Sequence, residues 1–236
     1  VLQWLLLPLL QERLQMYAIS ETDMSTIKKI QGKATPIRID NLDTDQIMPK
    51  QFLRGIDKSG LIEGLLYDLR FDTKGQIKPD FVLNQTKYKD ANLMLGGSNF
   101  GCGSSREHAV WGLLQFGVKA IIAPSFAEIF YSNAMGNQLL LVSLPTEQVE
   151  NLMQLAQRTD APEIVIDVEN SQVTCGDLDP MHFEISKRHQ EMFLKGVDVV
   201  GMSLSYMDEI NTFARKHWAR EPWVKDVAAL AKSRLA

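Results

Sequence analysis

The segment GGSNFGCGSSREHAVWG, Gly96 to Gly112, gathers the side chains of this sequence best suited to chemistry. Gly96, Gly97, Gly101 and Gly103 alternate with three serines, a cysteine, an arginine and a glutamate, and an apolar run follows. Glycines let a backbone take angles closed to other residues and approach another group closely. A strand that ends in such a loop and feeds a helix aims free N–H groups and the positive end of the helix dipole at one point. An anion belongs there. Ser104-Ser105-Arg106-Glu107 also fits S-x-x-E, so Ser104 is expected to cap the helix and Glu107 to reach back in a capping box.

The kind of anion follows from what is missing. A dinucleotide fingerprint needs a third glycine where Arg106 stands, and the lysine of a phosphate-binding P-loop is absent. Arg106 is expected in the first helical turn, where a cation is electrostatically misplaced. A planar guanidinium beside an anion site suits a carboxylate. The loop therefore reads as a carboxylate cradle with the hydroxyls of Ser104 and Ser105 in reach. Cys102 could be a nucleophile activated by the helix N-terminus, but the one nearby histidine, His108, is expected inside the helix. A small structural residue is the better reading of Cys102. His182 and His189 lack metal-ligand spacing.

The elements that must position this loop are legible from periodicity and turn residues. Lys33 to Ile39 reads as a strand, and Pro36 makes it an edge strand. Asp40 to Asp45 is turn-rich, with Asp45 read from sequence alone as an Asx-turn residue. SGLIEGLLYDLR has helical spacing, and KGQIKPD is a loop. ANLMLGG is a short buried strand entering the glycine loop. Ala109, Val110, Leu113, Leu114 and Phe116 form a helical stripe ended by Gly117. KAIIAPS, QLLLVSLP, EIVIDVEN, SQVTC and MHFEI read as strands. FAEIFYSNAMG, TEQVENLMQLAQR with a Thr cap, ISKRHQEMFLKG and SLSYMDEINTFARKHW read as helices. Strand–helix alternation followed by antiparallel β segments places the chain in the α/β class, a mixed sheet with flanking helices.

Composition sets the remaining bounds. The chain has 236 residues, 45% of them hydrophobic, enough for a core. A net charge of −4 gives no nucleic-acid footprint. Arg215, Lys216 and Arg220 alternate with Glu221 and Asp226 and read as a solvated helix face. Two distant cysteines, Cys102 and Cys175, make neither a disulfide framework nor a metal clamp, so no metal is expected on this chain. A reducing cytoplasm fits. No apolar stretch reaches the roughly 18 residues of a membrane span. The opening VLQWLLLPLL is short, contains Pro8 and lacks a basic leader. Residues 1–23 are expected to be an extension outside the fold, 24–215 a single domain, and 216–236 a C-terminal helical tail.

NFGCGSSREHA, followed by KAIIAPSFAEIFYSNAMGNQLL, resembles the small-subunit family of 3-isopropylmalate dehydratases, the swivelling half of the aconitase-type isomerases. The likeness runs from about Lys33 through DNLDTDQIMPKQF to about Tyr206. It implies a swivelling β/β/α domain and a hydro-lyase that interconverts 2-isopropylmalate and 3-isopropylmalate in leucine biosynthesis. It implies a large-subunit partner, in a heterodimer or higher assembly, that carries a 4Fe–4S cluster. Such a cluster takes three protein cysteines, and this chain has two. By position, Ser104 matches the base, acting as its alkoxide. Ser105 and Arg106 match the residues that grip a substrate carboxylate. DTDQI is similar to the TTDHI segment of aconitases, which places Asp45 in the polar network, with Asp43 and Thr44 shaping its loop. In PKQFLRG, Leu53 intervenes between Phe52 and Arg54, unlike the aconitase pattern. This region reads the variable part of the substrate, and Leu53 suits an isopropyl group. Two alternatives stand beside this reading. One is the same machinery on a homoaconitate or methylmalate; the other is a stand-alone anion-binding or cysteine-dependent protein.

Overall fold

The computed structural model describes residues 26–53 and 60–235. The chain divides into two compact units, Thr26–Asp198 and the segment from Val199 onward.

The first unit is built on two four-stranded sheets. Strand β1 (Lys29–Gly32) belongs to one sheet and β2 (Ala34–Ile37) to the other. The strand expected over Lys33 to Ile39 is therefore shorter, and a second strand precedes it. The chain changes sheets at Lys33, where a single run of β-prone sequence is shared between two pairings. β2 pairs in parallel with β3 (Leu93–Gly96), which pairs with β4 (Ala120–Ala123), which pairs with β5 (Leu140–Ser143). Pro36 lies in β2, an edge strand as its missing N–H requires. β2, β3 and β4 are buried at every residue. That is the pattern of a parallel sheet covered on both faces.

The second sheet is antiparallel, in the order β1, β6 (Ile164–Asp167), β7 (Gln172–Cys175), β8 (Met181–His182). β6 and β7 alternate buried and part-exposed residues, the sign of a sheet with one covered face. The α/β class and the antiparallel segments hold, but parallel and antiparallel pairings are segregated into two sheets rather than mixed in one.

Helices connect and cover the parallel strands. α1 (Thr44–Ile47) is one turn long, and α2 (Tyr67–Arg70) follows a 3-10 turn at Leu61–Gly64. The helix expected over SGLIEGLLYDLR is broken between these two. Leu66 has φ 50, and its N–H donates to the Ile47 carbonyl at 2.9 Å rather than up its own helix. α3 (His108–Phe116) joins β3 to β4 and ends at Gly117 with φ 101. α4 (Glu128–Gly136) joins β4 to β5. α5 (Thr146–Ala156) follows β5 and packs on β2, β3 and β4. Its N-cap residue is Pro145, so Thr146 is the first helical residue rather than the cap. α6 (Lys187–Lys195) closes the unit between a Ser186 cap and Gly196, whose φ of 63 is the left-handed C-cap geometry.

The segment from Val199 is helical: α7 (Val199–Leu204), α8 (Met207–Arg220) and α9 (Val227–Leu235). Asp208 and Glu209 in the first turn of α8, and His217 and Arg220 in its last, oppose the helix dipole. Arg215, Lys216 and Arg220 are solvent-exposed, as their interleaving with acids implies.

Candidate functional site

The loop between β3 and α3 lies against the turn that leads into α1. Asn41 N donates to Ser98 O, Gly101 N to Leu42 O and Thr44 N to Cys102 O, each at 2.8 Å. The Ser98 N–H is held by Asp40 Oδ1 at 2.7 Å, and Asn99 Nδ2 donates to Asn41 Oδ1 at 2.8 Å. On its other side the loop is tied to the segment after β4. Asn99 N donates to Ser125 Oγ, Phe100 N to Ser125 O and Ala127 N to Phe100 O. Gly101 has φ +79, and a Cβ there would run into the Phe130 ring. The close approach that this glycine permits is thus to the protein's own core.

The expected capping box at the start of α3 is not formed. Glu107 is the N-cap, its backbone is already helical at φ −70 and ψ −20, and no side chain caps the helix. Ser104, Ser105 and Arg106 precede the helix, so Arg106 is not a cation misplaced in the first turn. The reason is competition from distant partners. Ser104 is taken up by Thr44, whose side chain is buried at 1% exposure. Thr44 Oγ1 lies 2.9 Å from Ser104 Oγ, receives the Ser104 N–H at 3.0 Å and lies 3.2 Å from Ser104 O. Glu107 Oε1 accepts from Asn137 Nδ2 instead of reaching back to Ser104.

A capping box does form at the neighbouring turn. Asp43 Oδ1 accepts from Gln46 N at 2.6 Å, and Asp43 N donates to Gln46 Oε1 at 3.1 Å. Asp43-x-x-Gln46 fits the same sequence rule and could have been read from it. This box, rather than an Asx turn at Asp45, sets the geometry of α1 and buries Thr44 beneath Ser104.

Asp45 and Arg106 form an ion pair through Oδ1 and Nη1, and Lys50 Nζ stands 3.9 Å from Asp45 Oδ2. The structure therefore brings together Thr44, Asp45, Ser104 and Arg106, residues 60 apart in sequence for the Thr44–Ser104 pair. Ser105 is exposed next to them and its carbonyl accepts from Asn133 Nδ2 at 3.2 Å. Leu53 is the C-cap of the 3-10 turn Lys50–Phe52 and packs in part against the core. Arg54 lies outside the described residues. Sequence reading missed Asn133 and Asn137. Their signal is the pair of asparagines four apart in SNAMGN, which share one helix face.

Ser104 Oγ shares a hydrogen bond with the Thr44 hydroxyl in which either oxygen can donate. The single Thr44 hydroxyl proton has two acceptors in range, Ser104 O and Ser104 Oγ, while its oxygen already receives the Ser104 N–H. An ionised Ser104 cannot donate, and it accepts more strongly than a carbonyl. The Thr44 proton would then turn to it. The Arg106 fork stands on the same turn.

The thiols do not fit an iron–sulfur cluster on this chain. Cys102 Sγ donates to Asn41 O at 3.2 Å in the glycine loop, whereas Cys175 is buried in β7 of the other sheet. Burial pushes the Cys175 thiol pKa up, away from the thiolate a metal requires. Two thiols, one in the glycine loop and one in a strand, cannot supply three ligands, and no cluster of metal-binding side chains occurs among the described residues.

A cavity of about 240 Å³ opens between α5 and the ends of β2 and β3, lined by Arg38, Asp40, Gly96, Ser98, Thr146 and Glu150 among others. Arg38 and Glu150 pair across 2.6 Å there. Neither Ser104 nor Arg106 lines it, so the candidate chemistry rests on the turn and not on this cavity. No helix among the described residues is long and apolar enough to cross a membrane.

Comparison with known proteins bears on this arrangement. The model of the aconitase C-terminal domain matches residues 24–147. A 3-isopropylmalate dehydratase small subunit 1 of Chromobacterium violaceum is 52% identical over 213 residues, which is 90% of this chain and 100% of that protein. A small subunit 2 of Salmonella typhimurium is 43% identical over 206 residues, covering 87% of this chain and 99% of its own. The crystal structure of a 3-isopropylmalate dehydratase from Methanocaldococcus jannaschii is 27% identical, covers 78% of this chain and 99% of its own, and superposes with a TM-score of 0.57. With the domain model spanning the whole glycine loop and relatives matched over nearly their full lengths, the chain belongs to the family of 3-isopropylmalate dehydratase small subunits, built on the aconitase C-terminal domain.

Proposed function

We propose that this chain is the small subunit of a hydro-lyase that interconverts 2-isopropylmalate and 3-isopropylmalate in leucine biosynthesis. It works in the cytoplasm with a large subunit that carries the 4Fe–4S cluster. The observation that carries the reading is the coupling of Ser104 to the buried Thr44 hydroxyl beside the Arg106–Asp45 pair.

Ser104, as its alkoxide, takes the proton from the carbon α to a substrate carboxylate. The hydroxyl on the adjacent carbon departs, a step that falls outside this chain, and an alkene results. Rehydration in the opposite sense returns the proton from Ser104 Oγ. A serine is a weak base, so its anion needs preorganised donors. The Thr44 hydroxyl is one, and the positive N-terminal end of α3 lies a few residues away. Arg106 grips the carboxylate. Its partner in the structure is Asp45, itself a carboxylate. A substrate carboxylate would take the place of Asp45 on the guanidinium, with Ser105 contributing its hydroxyl. Leu53, and Arg54 next to it in sequence, are assigned the variable substituent by their match to the family's specificity segment.

The test is co-expression with a candidate large subunit, followed by assay of the purified complex on isopropylmalate, homoaconitate and methylmalate. Co-purification with turnover of isopropylmalate is expected. A chain that purifies without a partner would break the reading. Turnover of a methylmalate or homoaconitate alone would move the substrate while leaving the machinery. The isolated chain, reconstituted anaerobically with iron and sulfide, is expected to take up no cluster; a stoichiometric 4Fe–4S spectrum would overturn the division of labour.

A further inference from the structure

The turn 104–107 is held at both ends, and its second anchor lies on α4 and its C-cap residue. Thr44 holds Ser104. From the other side, Asn133 and Asn137 reach across from α4. They are four residues apart and share one helix face. Asn133 Nδ2 donates to Ser105 O at 3.2 Å, and Asn137 Nδ2 donates to Glu107 Oε1. The Arg106 side chain springs from the residue between these two points of attachment.

Asn137 is locked by its own partners. Its Nδ2 also donates to Asn133 O at 2.8 Å, and its Oδ1 accepts from Trp111 Nε1 at 3.1 Å. An amide has two N–H donors and one carbonyl acceptor, and all are placed. Turning the amide over would set its oxygen against the Glu107 carboxylate and the Asn133 carbonyl, and its NH₂ against the indole N–H. All three contacts would then be repulsive, so only one orientation survives. Trp111 stands one helical turn into α3, so Asn137 ties the entry of that helix to its first turn through a single side chain.

We infer that Asn137 is a positioning residue of the isomerase: acting through Glu107, with Asn133 beside it, it aims the Arg106 guanidinium at the substrate carboxylate. The inference rests on the functional reading given above. It assigns a division within the turn. Ser104 keeps its own anchor in Thr44, so loss of Asn137 disturbs the grip on substrate more than the proton transfer.

The experiment is a double-mutant cycle in the complex with the large subunit: Asn137→Ala, Glu107→Ala and both together, read as separate KM and kcat values. Each single variant is expected to raise KM about tenfold, since small displacements of a positioning group cost one to two powers of ten. kcat should stay within about threefold. The double variant should be no worse than the worse single, because both remove one connection. Effects that multiply in the double, an unchanged KM in both singles, or a loss confined to kcat would each overturn the inference. Glu107→Ala tests the connection from its other end should Asn137→Ala not fold. Wild-type turnover is measured first, so that failure of the functional reading is seen separately. Amide hydrogen exchange of the chain supplies a readout free of turnover. Asn137→Ala should speed exchange at 110 and 111, whose N–H groups donate to the Glu107 carbonyl, and leave 44 and 46 unchanged; equal rates at 110 and 111 would sink the inference even in an inactive complex.

Discussion

Two adjacent turns of this protein carry the same local code and use it in opposite ways. Asp43-Thr44-Asp45-Gln46 and Ser104-Ser105-Arg106-Glu107 both fit the capping-box pattern. In the first, Asp43 and Gln46 satisfy each other across 2.6 and 3.1 Å and the box closes. In the second, the terminal residues are drawn away, Ser104 to Thr44 and Glu107 to Asn137. A closed box satisfies two N–H groups and fixes a helix entry. An open one leaves a hydroxyl and a guanidinium available beside a helix N-terminus. Local rules fail where a site has another use for the residues. The closed box starts α1, whose first residue, Thr44, touches Ser104.

The largest expected effect comes from the open turn. Ser104→Ala should lower kcat of the assembled enzyme by about 10²–10⁴-fold, the usual loss for a general base. KM should change little, as for a group needed mainly in the transition state. Stability should hold, since the N–H and carbonyl of residue 104 keep their Thr44 contacts. Near-normal kcat with the partner present and the cluster intact would return Ser104 to a structural role and erase the contrast between the turns. Ser105→Ala is the control, a neighbouring hydroxyl removed without the proposed base.

Thr44→Val asks whether the closed turn acts on the open one. The hydroxyl is lost at constant shape, and a hydrogen bond to a charged group contributes about 1.5–3 kcal/mol. kcat should therefore fall by roughly 10–100-fold, and Thr44→Ser should restore most of it. Equal kcat in wild type and Thr44→Val would uncouple the two turns. Arg106→Lys follows with a smaller effect. The charge remains but the planar fork is gone. KM is expected to rise several-fold with kcat nearly kept, and an unchanged KM would reduce the Arg106–Asp45 pair to a contact of the fold.

The scaffold was more legible than the site, for a physical reason. Leu93–Gly96, Ala120–Ala123 and Leu140–Ser143 are short apolar runs bounded by turn residues, and covered parallel strands look like that. Gly117 announced its helix end because left-handed backbone is costly for other residues. The break at Lys33 between two sheets was not legible, since β-prone residues lie on both sides and the choice of partner is tertiary. The Leu66 break in the expected helix is likewise made by a hydrogen bond to Ile47. At the site, residue types pointed to Ser104 and Arg106, and family resemblance added Thr44 and Asp45. The Thr44–Ser104 contact itself joins residues 60 apart, and the Asn137–Glu107 contact residues 30 apart. No local rule reaches that far, which is why the expected capping box failed and the asparagines went unseen.

The smallest effect should come from opening the closed box. Asp43→Ala removes the cap of α1, and such caps contribute about 0.5–2 kcal/mol. For a chain of this size each kcal/mol corresponds to roughly 2–4 °C in Tm, so a fall of about 1–8 °C is expected by calorimetry. Gln46→Ala removes only the reciprocal bond and should fall at the low end of that range or below it. Turnover measured well under the Tm should remain near wild type in both. The Thr44 N–H still donates to Cys102 O at 2.8 Å, so Thr44 keeps a backbone anchor of its own. A loss of stability with activity kept is the mirror image of Ser104→Ala, where activity is lost and stability kept. If Asp43→Ala instead abolished turnover at unchanged Tm, Asp43 would belong to the chemistry, and the distinction between a closed structural turn and an open working one would fall.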